Sequence, residues 1–519
     1  MDVELLQFCS SRRILVDKKV LEVLEKLGDL NFAKNFLDKI VFQFNQRIIT
    51  KGFFSDNKYQ LNDLLSYHTG KSKELIKKFF DELNIEILEN NYLTNANKES
   101  VEKTVNLFKI YQNTPKKLDV KDFVSNFRNR FNFLKGVLME RLSLDNLTSI
   151  NKLFGKGTCS IIAMVYNKKT TKNGNLLLEI EDLTGRISAI VNKDRKEVYE
   201  KAKEIILDEV IGLKCSGNGD IVFVNDIIFP ECKIIEKKYS KNEEYAAFIS
   251  DIHVGSNKFL ENEFLKFIAW INGEIGDNKQ RDEALKIKYL FITGDSIDGV
   301  GVYPGQESQL VLKDVNQQYD KLKELLFKIR SDVQIIHCPG QHDAVRVAEP
   351  QPIVGEFYGS SLKDLKNLYR VTNPSIIEIG RDVKFKVLMY HGASMHGIIN
   401  SIDSLRLAKS HNSPTSVVKY MIKKRHLAPT HSLVTYTPLD KEDALLIKDI
   451  PDIITTGDLH RPEISDYNGI LLIASSCWQS RTLFEEKVGN NPDPCKVPIF
   501  NLKTREIKIL DFSENENSS

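Results

Sequence analysis

The chain has 519 residues, of which 41% are hydrophobic and 28% are charged. This length exceeds what one hydrophobic core supports and predicts about three domains. The 73 basic and 71 acidic side chains give a net charge of +2, which excludes a uniformly basic nucleic-acid-binding protein, so that any basic surface must be local.

The first 150 residues predict a small helical domain and a linker. Residues 1–75 space their apolar side chains at three- and four-residue intervals, which is typical of amphipathic helices. From about residue 88 the chain is polar, rich in Asn and Lys and without a clear period, so we assign residues 76–150 to a linker. Within it, "FVSNFRNRFNFLKGVLMERL" predicts one amphipathic adaptor helix.

Residues 151–240 predict an OB-fold β-barrel. Five β-type runs are separated by turn signals, and the helical stretch "DRKEVYEKAKEII" lies between the third and the fourth. This order of elements is typical of the OB fold. Such barrels bind single-stranded nucleic acid through aromatic and cationic side chains. Aromatics are scarce in the expected face, so docking and nucleic-acid binding are equal alternatives for this barrel.

Residues 241–512 predict a layered α/β domain, and residues 513–519 are expected to form a disordered tail. Short continuous apolar runs alternate with helical stretches such as "NEFLKFIAWI" and "DKLKELLFKI". This pattern is typical of strands that are buried on both faces and joined by helices. Several runs end in loops that carry Asp or His, where the active sites of such domains collect.

Five of these strand ends carry candidate metal ligands. The ligands are Asp251, His253, Asp295, Gln341, His391, Asp458 and His460. Two divalent ions about 3.5–4 Å apart need a bridging carboxylate, and we predict Asp295 as that bridge. We predict that Asp251, His253 and His460 complete the ligand set of one ion. Gln341, His391 and Asp458 surround the other. Mixed nitrogen and oxygen ligation suits Mn²⁺, Zn²⁺ or Fe²⁺ better than Mg²⁺, and of these four we expect Mn²⁺.

Each motif alone has an ordinary structural explanation. Gly-Asp after a strand is common in turns, and a histidine such as His391 is often a satisfied, half-buried side chain. The joint occurrence of five such ends favours a shared site. Asp298 and Asp343 are predicted either to orient ligand histidines or to be plain loop acids. The histidines that are not at matching strand ends are predicted to be structural: His337, His396, His411, His426 and His431.

A short cationic run stands apart from these motifs. "MIKKRH", residues 421–426, is the densest group of basic residues in the α/β domain. It predicts either a solvated helix end or a contact to DNA or to a partner.

The motifs resemble the calcineurin-like metallophosphoesterase superfamily, whose pattern is D-x-H, G-D-x-x-D, G-N-H-D/E, H and G-H-x-H. The segments "CPGQHDAVRVAEPQP", "KKRHLAPTHS" and "SSCWQSRTLFEEKVGNNPDPCKVPIFNLKT" resemble more closely the small subunits of archaeal family D DNA polymerases. This resemblance covers roughly residues 155–512.

The resemblance implies a 3′→5′ exonuclease that proofreads by two-metal hydrolysis of phosphodiesters. It also implies two partners, the large catalytic subunit and DNA, the latter as primer 3′ ends and single strands. The ligands carried over are Asp251, His253, Asp295, His391 and His460. His342 is implied as the catalytic histidine, which steadies the scissile phosphate or protonates the leaving oxygen.

Two departures from the superfamily pattern leave an alternative open. Gln341 stands where the pattern has Asn, and Asp458 stands where it has the first His of G-H-x-H. Both keep a ligating oxygen, but Asp458 adds negative charge to a site that must accept a phosphodiester. A non-catalytic assembly subunit is therefore the alternative hypothesis, and a small-molecule phosphoesterase is a third.

The remaining expectations concern the compartment. The seven cysteines are scattered and form no CxxC pair, which favours reduced thiols over a disulfide framework or a zinc ribbon. No window reaches the roughly 18 apolar residues of a membrane span, and the N-terminus does not have the pattern of a signal peptide. We therefore expect a cytoplasmic, nucleoid-associated protein without a membrane partner.

Overall fold

The computed structural model describes residues 3–12, 14–44, 48–56, 71–83, 104–111, 117–141, 143–153, 157–217, 220–488 and 490–513. The chain folds as two compact units, residues 1–99 and 100–519. The tail predicted for residues 513–519 lies outside the described residues except for Ser513. Among the described helices, none combines the length and the apolar character that a membrane crossing requires.

The described residues of the first unit lie mainly in helices. Its elements are α1 (Val3–Ser11), β1 (Leu15–Val16), α2 (Lys18–Lys26), α3 (Leu30–Phe44), β2 (Ile48–Ile49), α4 (Lys51–Asp56) and α5 (Lys71–Glu82). Phe36, Phe54 and Phe79 meet edge to face or stacked in its core. Helix α5 crosses the predicted boundary at residue 75, because Phe79, Phe80 and Leu83 continue its buried face.

The second unit begins with a strand that the linker prediction missed. Strand β3 (Val105–Ile110) pairs antiparallel with residues 375–379 of a sheet in the α/β domain. The prediction of a linker over residues 76–150 is therefore wrong for this segment. Only Val105 of this strand is fully buried, and Asn106 and Lys109 interrupt its apolar residues, so "VNLFKI" does not stand out as a strand. The predicted adaptor helix is present as α6 (Val120–Met139).

A closed barrel of five strands follows. Its strands are β4 (Gly157–Thr170), β5 (Leu176–Asp182), β6 (Gly185–Val191), β7 (Val210–Gly217) and β8 (Ile221–Ile228), with α7 (Lys196–Lys203) between β6 and β7. The strand order around the barrel is β4-β5-β6-β8-β7. The 14-residue β4 pairs with both β5 and β7, and this double pairing closes the barrel. The predicted number of strands and the position of the helix are confirmed.

The α/β domain contains two six-stranded sheets. Its strands are β9 (Tyr245–Ile249), β10 (Ile287–Thr293), β11 (Gln334–Cys338), β12 (Leu368–Arg370), β13 (Ser375–Ile379), β14 (Phe385–Met389), β15 (Ile453–Thr456), β16 (Glu463–Tyr467), β17 (Ile470–Ala474), β18 (Lys496–Asn501) and β19 (Ile507–Asp511). Its helices are α8 (Glu261–Ile271), α9 (Asn278–Leu285), α10 (Val315–Phe327), α11 (Glu356–Gly359), α12 (Met395–Ser401), α13 (Asp403–Leu407), α14 (Pro414–Lys424) and α15 (Leu483–Val488).

The sheets pack face to face, with helices outside. The strand orders are β12-β11-β10-β9-β18-β19 and β16-β17-β15-β14-β13-β3. Phe248 and Phe291 of the first sheet share one core with Val387 and Ile453 of the second. The alternate residues of the same strands, such as Ile249, point the other way and pack against α8 and α10. The predicted layered α/β architecture with strands buried on both faces is confirmed.

A buried polar cluster joins helix α6, the barrel and the α/β domain. We call Arg130, Glu209, Lys424, His426 and Asp443 the interface cluster. Arg130 Nε lies 2.7 Å from Asp443 Oδ2, and Lys424 Nζ lies 2.7 Å from Glu209 Oε2, with all four side chains at most 2% exposed. The two expectations for "MIKKRH" are therefore wrong for Lys424, because its charge is paired with a barrel residue inside the chain.

Candidate metal centre

The predicted ligands follow the strand ends at the edge where both sheets bring their parallel strands together. Asp251 follows β9, Asp295 follows β10, His391 follows β14 and Asp458 follows β15. The loops are tied in pairs: the Asp251 N–H donates to the carbonyl of Gly294, and the Gly457 N–H donates to the carbonyl of His391. The neighbouring parallel strands therefore bring residues that are distant in sequence close together.

The backbone of this region is held in an uncommon conformation. Five of the seven predicted ligands have a positive φ, namely Asp251 (51°), His253 (53°), Asp295 (47°), Asp458 (66°) and His460 (55°). A non-glycine residue in the left-handed region costs of order 1–3 kcal/mol, and such residues persist where the surroundings fix them, often at functional sites. The concentration of these residues at one edge favours a functional site over simple turns.

Two glycines make room for the ligands. A Cβ at Gly294 would lie 2.1 Å from His391 Nδ1, and a Cβ at Gly340 would lie 2.1 Å from Asp295 Oδ1. No real side chain tolerates such contacts, so glycine is required at both positions for His391 and Asp295 to reach the centre.

Asp251, His253 and His460 form the first group of converging ligand atoms. His460 Nε2 lies 3.4 Å from both Asp251 Oδ1 and His253 Nε2. The other ring nitrogens have partners: His253 Nδ1 lies 3.0 Å from Asp298 Oδ1, and His460 Nδ1 lies 2.9 Å from Glu485 Oε1. Ionised carboxylates only accept hydrogen bonds, so both Nδ1 atoms carry the proton. In the neutral rings the two Nε2 lone pairs therefore face each other.

Asp251, Asp295 and His391 form the second group. His391 Nδ1 lies 2.9 Å from the carbonyl oxygen of Thr293, which can only accept, so this nitrogen carries the proton. His391 Nε2 lies 3.2 Å from Asp295 Oδ2 and is buried without a hydrogen-bond partner among the described residues. A neutral His391 thus presents a lone pair to a carboxylate oxygen. Both groups need a positive charge between their ligand atoms.

The separations of these atoms fit a shared cation. Two ligands with bonds of about 2.1 Å lie about 3.0 Å apart at right angles and about 3.4 Å apart at a tetrahedral angle. The distances of 3.2 Å and 3.4 Å in the two groups are within this range. The donor set therefore fits divalent metal, and the number of cations stays a prediction.

The electrostatics of the histidines agree with this assignment. Burial alone would lower the pKa of His391, but the carboxylates of Asp295 and Asp251 outweigh it and raise that pKa well above its ordinary value. For Asp295, burial alone would raise the pKa. The neighbouring imidazoles of His391 and His342 outweigh burial and hold the pKa of Asp295 far below its ordinary range. The site thus binds positive charge strongly, whether as protons or as cations that displace them.

Asp251 is the carboxylate that both groups share. The sequence predicted Asp295 as the bridge, and that role stays a prediction. The backbone N–H of Asp458 donates to Asp251 Oδ2 over 3.1 Å. The side-chain Oδ1 of Asp458 lies 3.8 Å from His391 Nε2. Gln341 is half-buried in the loop after β11, and its role as a ligand also stays a prediction.

His342 lies at the edge of the first group. Its ring centroid is 4.7 Å from that of His253, and its Nδ1 lies 2.7 Å from the carbonyl oxygen of Asp298. The carbonyl fixes the proton on Nδ1, so Nε2 is the atom that can meet a substrate. Its backbone N–H also donates to Asp295 Oδ1 over 2.8 Å.

The two acids left open by the sequence have different roles. Asp298 orients His253 through the contact described above and accepts hydrogen bonds from Gln306 and Gln479. Asp343 instead accepts from the Ser296 hydroxyl and from the Gly340 N–H, which ties together the loops after β10 and β11.

Sequence reasoning missed Glu485, which fixes the tautomer of His460 from helix α15. No motif signals it, because it lies 25 residues beyond its partner. It also placed His396 among the structural histidines, yet His396 Nε2 lies 3.6 Å from Asp458 Oδ2. Its position five residues after His391, on the helix that follows that loop, was the available signal. His426 is structural, as predicted, and belongs to the interface cluster.

Comparisons with known proteins agree on a family. Residues 246–465 match the family model that describes the B subunits of DNA polymerases alpha and epsilon. The DNA polymerase II small subunit of Methanothermobacter thermautotrophicus is 36% identical over 396 residues, which cover 76% of this chain and 80% of the relative. That of Pyrococcus furiosus is 36% identical over 402 residues, which cover 76% of this chain and 64% of the relative.

A solved archaeal phosphodiesterase aligns with 51% of this chain and 98% of its own length, at 14% identity and a TM-score of 0.25. The relatives in sequence confirm the resemblance to polymerase small subunits. The chain belongs to the family of DNA polymerase II small subunits.

Proposed function

We propose that this chain is the proofreading subunit of its polymerase, a 3′→5′ exonuclease that hydrolyses phosphodiesters with two divalent cations. The observation that carries the proposal is the convergence of tautomer-fixed imidazole Nε2 atoms and carboxylates in one buried centre. The holders of the cations would be Asp251, His253, Asp295, Gln341, His391, Asp458 and His460. Cations there would polarise the phosphate and lower the pKa of the attacking water.

The charge of the ligands suits this substrate. Asp251, Asp295 and Asp458 carry −3, and two divalent cations carry +4, so the loaded ligand set has a net charge of +1. A phosphodiester carries −1 and is therefore attracted rather than repelled. The additional carboxylate of Asp458, a concern from the sequence, is compatible with phosphodiester binding on this count.

His342 is the proposed catalytic histidine. Because its Nδ1 proton is held by the Asp298 carbonyl, protonated His342 would donate from Nε2 to the leaving 3′ oxygen. The released product would be a nucleoside 5′-monophosphate. His253 and Asp298, in contact with each other and next to His342, would keep its ring in place.

The name of the family implies a polymerase complex with a larger subunit. We propose that this chain docks that subunit and meets DNA as primer 3′ ends and single strands, where chromosomal DNA is, in the cytoplasm. We also assign the five-stranded barrel to the OB class, because its strand order and the helix after its third strand support that class.

The test is digestion of a 5′-labelled primer with a mismatched 3′ end by the purified chain, alone and with its large subunit, with and without Mn²⁺. We expect Mn²⁺-dependent shortening of the primer. Asp295→Asn and His342→Ala should reduce its rate by at least about 100-fold. The control is His431→Asn, because His431 is an exposed histidine of the same domain outside the centre.

The alternative is a non-catalytic assembly subunit. It would be supported if the wild-type chain assembled with the large subunit, bound no cation and left the primer intact under all these conditions. The tautomer-fixed histidines argue against it, because a scaffold would not need the Nε2 atoms of His253 and His460 to face each other, or that of His391 to face a carboxylate.

A further inference from the structure

Helix α12 places a histidine beside the acidic side of the metal centre. His396 is the second residue of α12, and its Nε2 lies 3.6 Å from Asp458 Oδ2. Within the described part of the chain, that oxygen is buried and has no hydrogen-bond partner. The other oxygen, Oδ1, lies 3.8 Å from His391 Nε2, which is likewise buried without a hydrogen bond. Asp458 therefore has an imidazole nitrogen next to each of its oxygens.

We propose that His396 is a metal ligand, which completes the cation position formed by His391 and Asp458. The inference rests on the proposed two-metal function and deepens it by adding a ligand. The distance of 3.6 Å is longer than an N–H···O hydrogen bond, which spans about 2.7–3.2 Å. It is close to the separation of about 3.4–3.6 Å expected for two atoms that bind one ion at tetrahedral or wider angles.

The backbone around His396 is fixed relative to Asp458. Gly392 has φ 126°, and a Cβ at this position would lie 3.2 Å from the Cβ of Asp458, so a side chain there would press the two loops apart. The Ser394 hydroxyl donates to the carbonyl of Leu427 over 2.6 Å, and the Ile398 N–H donates to the carbonyl of Ser394. The start of α12 is thus anchored on both sides.

The side chain of His396 keeps access to solvent, with 45% of its surface exposed, whereas Asp458 is 9% exposed. The cation position would therefore be open on the His396 side and closed on the His391 side. A neutral imidazole adds a ligand without adding negative charge. It also shifts the preference of this position towards Mn²⁺, Zn²⁺ or Fe²⁺ and away from Mg²⁺.

The experiment measures metal binding directly. The full chain is stripped with a chelator and titrated with Mn²⁺ by calorimetry, and bound metal is counted after desalting. We expect two Mn²⁺ in the wild type. In His396→Ala one site should keep its affinity, and the affinity of the other should fall at least about tenfold. His396→Gln, which places an amide oxygen near the former Nε2, should recover part of that loss.

His431→Ala is the matched control and should bind both ions as the wild type does. Circular dichroism and thermal unfolding establish that each variant is folded. If His396→Ala binds two Mn²⁺ with wild-type affinity, the proposal is wrong, while the two-metal function stands. If the wild type itself binds no Mn²⁺, the proposed function fails as well.

Discussion

Two clusters of buried charge in the second unit contain histidines, and they are built on opposite plans. In the interface cluster, His426 Nδ1 accepts from the Ala428 N–H, and its Nε2 lies 2.9 Å from Asp443 Oδ2, so both ring nitrogens are satisfied. In the metal centre, the Thr293 carbonyl holds the proton of His391 on Nδ1, so that the Nε2 facing the Asp295 carboxylate has no proton to donate in the neutral ring. Burial is the same in both; the use of the second nitrogen differs.

The charges differ in the same way. In the interface cluster Arg130 offsets Asp443, and Lys424 offsets Glu209. Burial and the charge of Arg130 lower the pKa of His426 to about 4, so that it stays neutral at pH 7. In the metal centre carboxylates outnumber fixed cations. Burial alone would lower the pKa of His391, but the charge of Asp295 outweighs this effect and raises that pKa. A balanced cluster indicates structure, and an unbalanced one indicates a ligand that is cationic.

The largest effect on stability should come from removing one charge of the interface cluster. Arg130→Leu leaves Asp443 buried without its guanidinium, and we expect a loss of about 3–5 kcal/mol in the free energy of unfolding. Chemical denaturation measures it. Arg128→Leu is the control, since Arg128 is exposed on the same helix. A loss of less than about 1 kcal/mol for Arg130→Leu would mean that the pair does not hold the interface.

Acid should weaken the interface through His426. Its pKa is lowered from 6.5 to about 4 in the folded chain, so between these values the unfolded state binds more protons and stability rises with pH. We expect about 3 kcal/mol to be lost as the pH falls from about 6.5 to about 4. In His426→Asn that part of the loss should disappear, whereas His431→Asn should follow the wild type. Unfolding curves at several pH values decide between these outcomes.

Binding of cations at the metal centre should stabilise the folded chain. At a Mn²⁺ concentration about 100 times the dissociation constant, we expect about 2.7 kcal/mol of added stability per site, and chelation should remove it. His391→Ala should lose the increment of its own site, while Arg130→Leu should keep the increment despite its lower baseline. Thermal unfolding with Mn²⁺ and with chelator measures both. Equal melting temperatures for the wild type in the two solutions would contradict the site.

The smallest effect concerns the orientation of a ligand. Asp298→Asn removes the charge that holds the Nδ1 proton of His253, and we expect Mn²⁺ affinity to fall by about 10- to 100-fold, or about 1.4–2.7 kcal/mol. Asp320→Asn, on the exposed side of α10, serves as the control. Calorimetry provides the affinities, and an unchanged value for Asp298→Asn would show that the position of His253 does not depend on this charge.

The elements of the centre could be predicted because each ligand follows a largely buried strand that appears in the sequence as a short continuous apolar run. A run such as the one before Asp295 is recognisable by itself, and the edge where parallel strands end follows from the fold class. The partners of the ligands could not be predicted in this way. Glu485 reaches His460 from a different element, and the presence of Asp251 in both ligand groups is not visible from its strand end.

Charge in the sequence proved a poor guide to exposure. The run that ends at His426 reads as a basic surface, but Lys424 is buried against Glu209, 215 residues earlier in the chain. A sequence shows how many charges are present and leaves open which of them are paired. The same limit explains why His396 was assigned a structural role: its neighbour Asp458 lies 62 residues away, on another strand end.

Strand β3 precedes the barrel in the chain, yet it covers the edge of the sheet that delivers His391. The barrel is therefore an insertion between two parts of one sheet. A shortened protein that starts at residue 151, the boundary suggested by composition, would expose the N–H and C=O groups of β13 to other copies and invite aggregation. Any truncation meant to crystallise the α/β domain should retain residues 104–111.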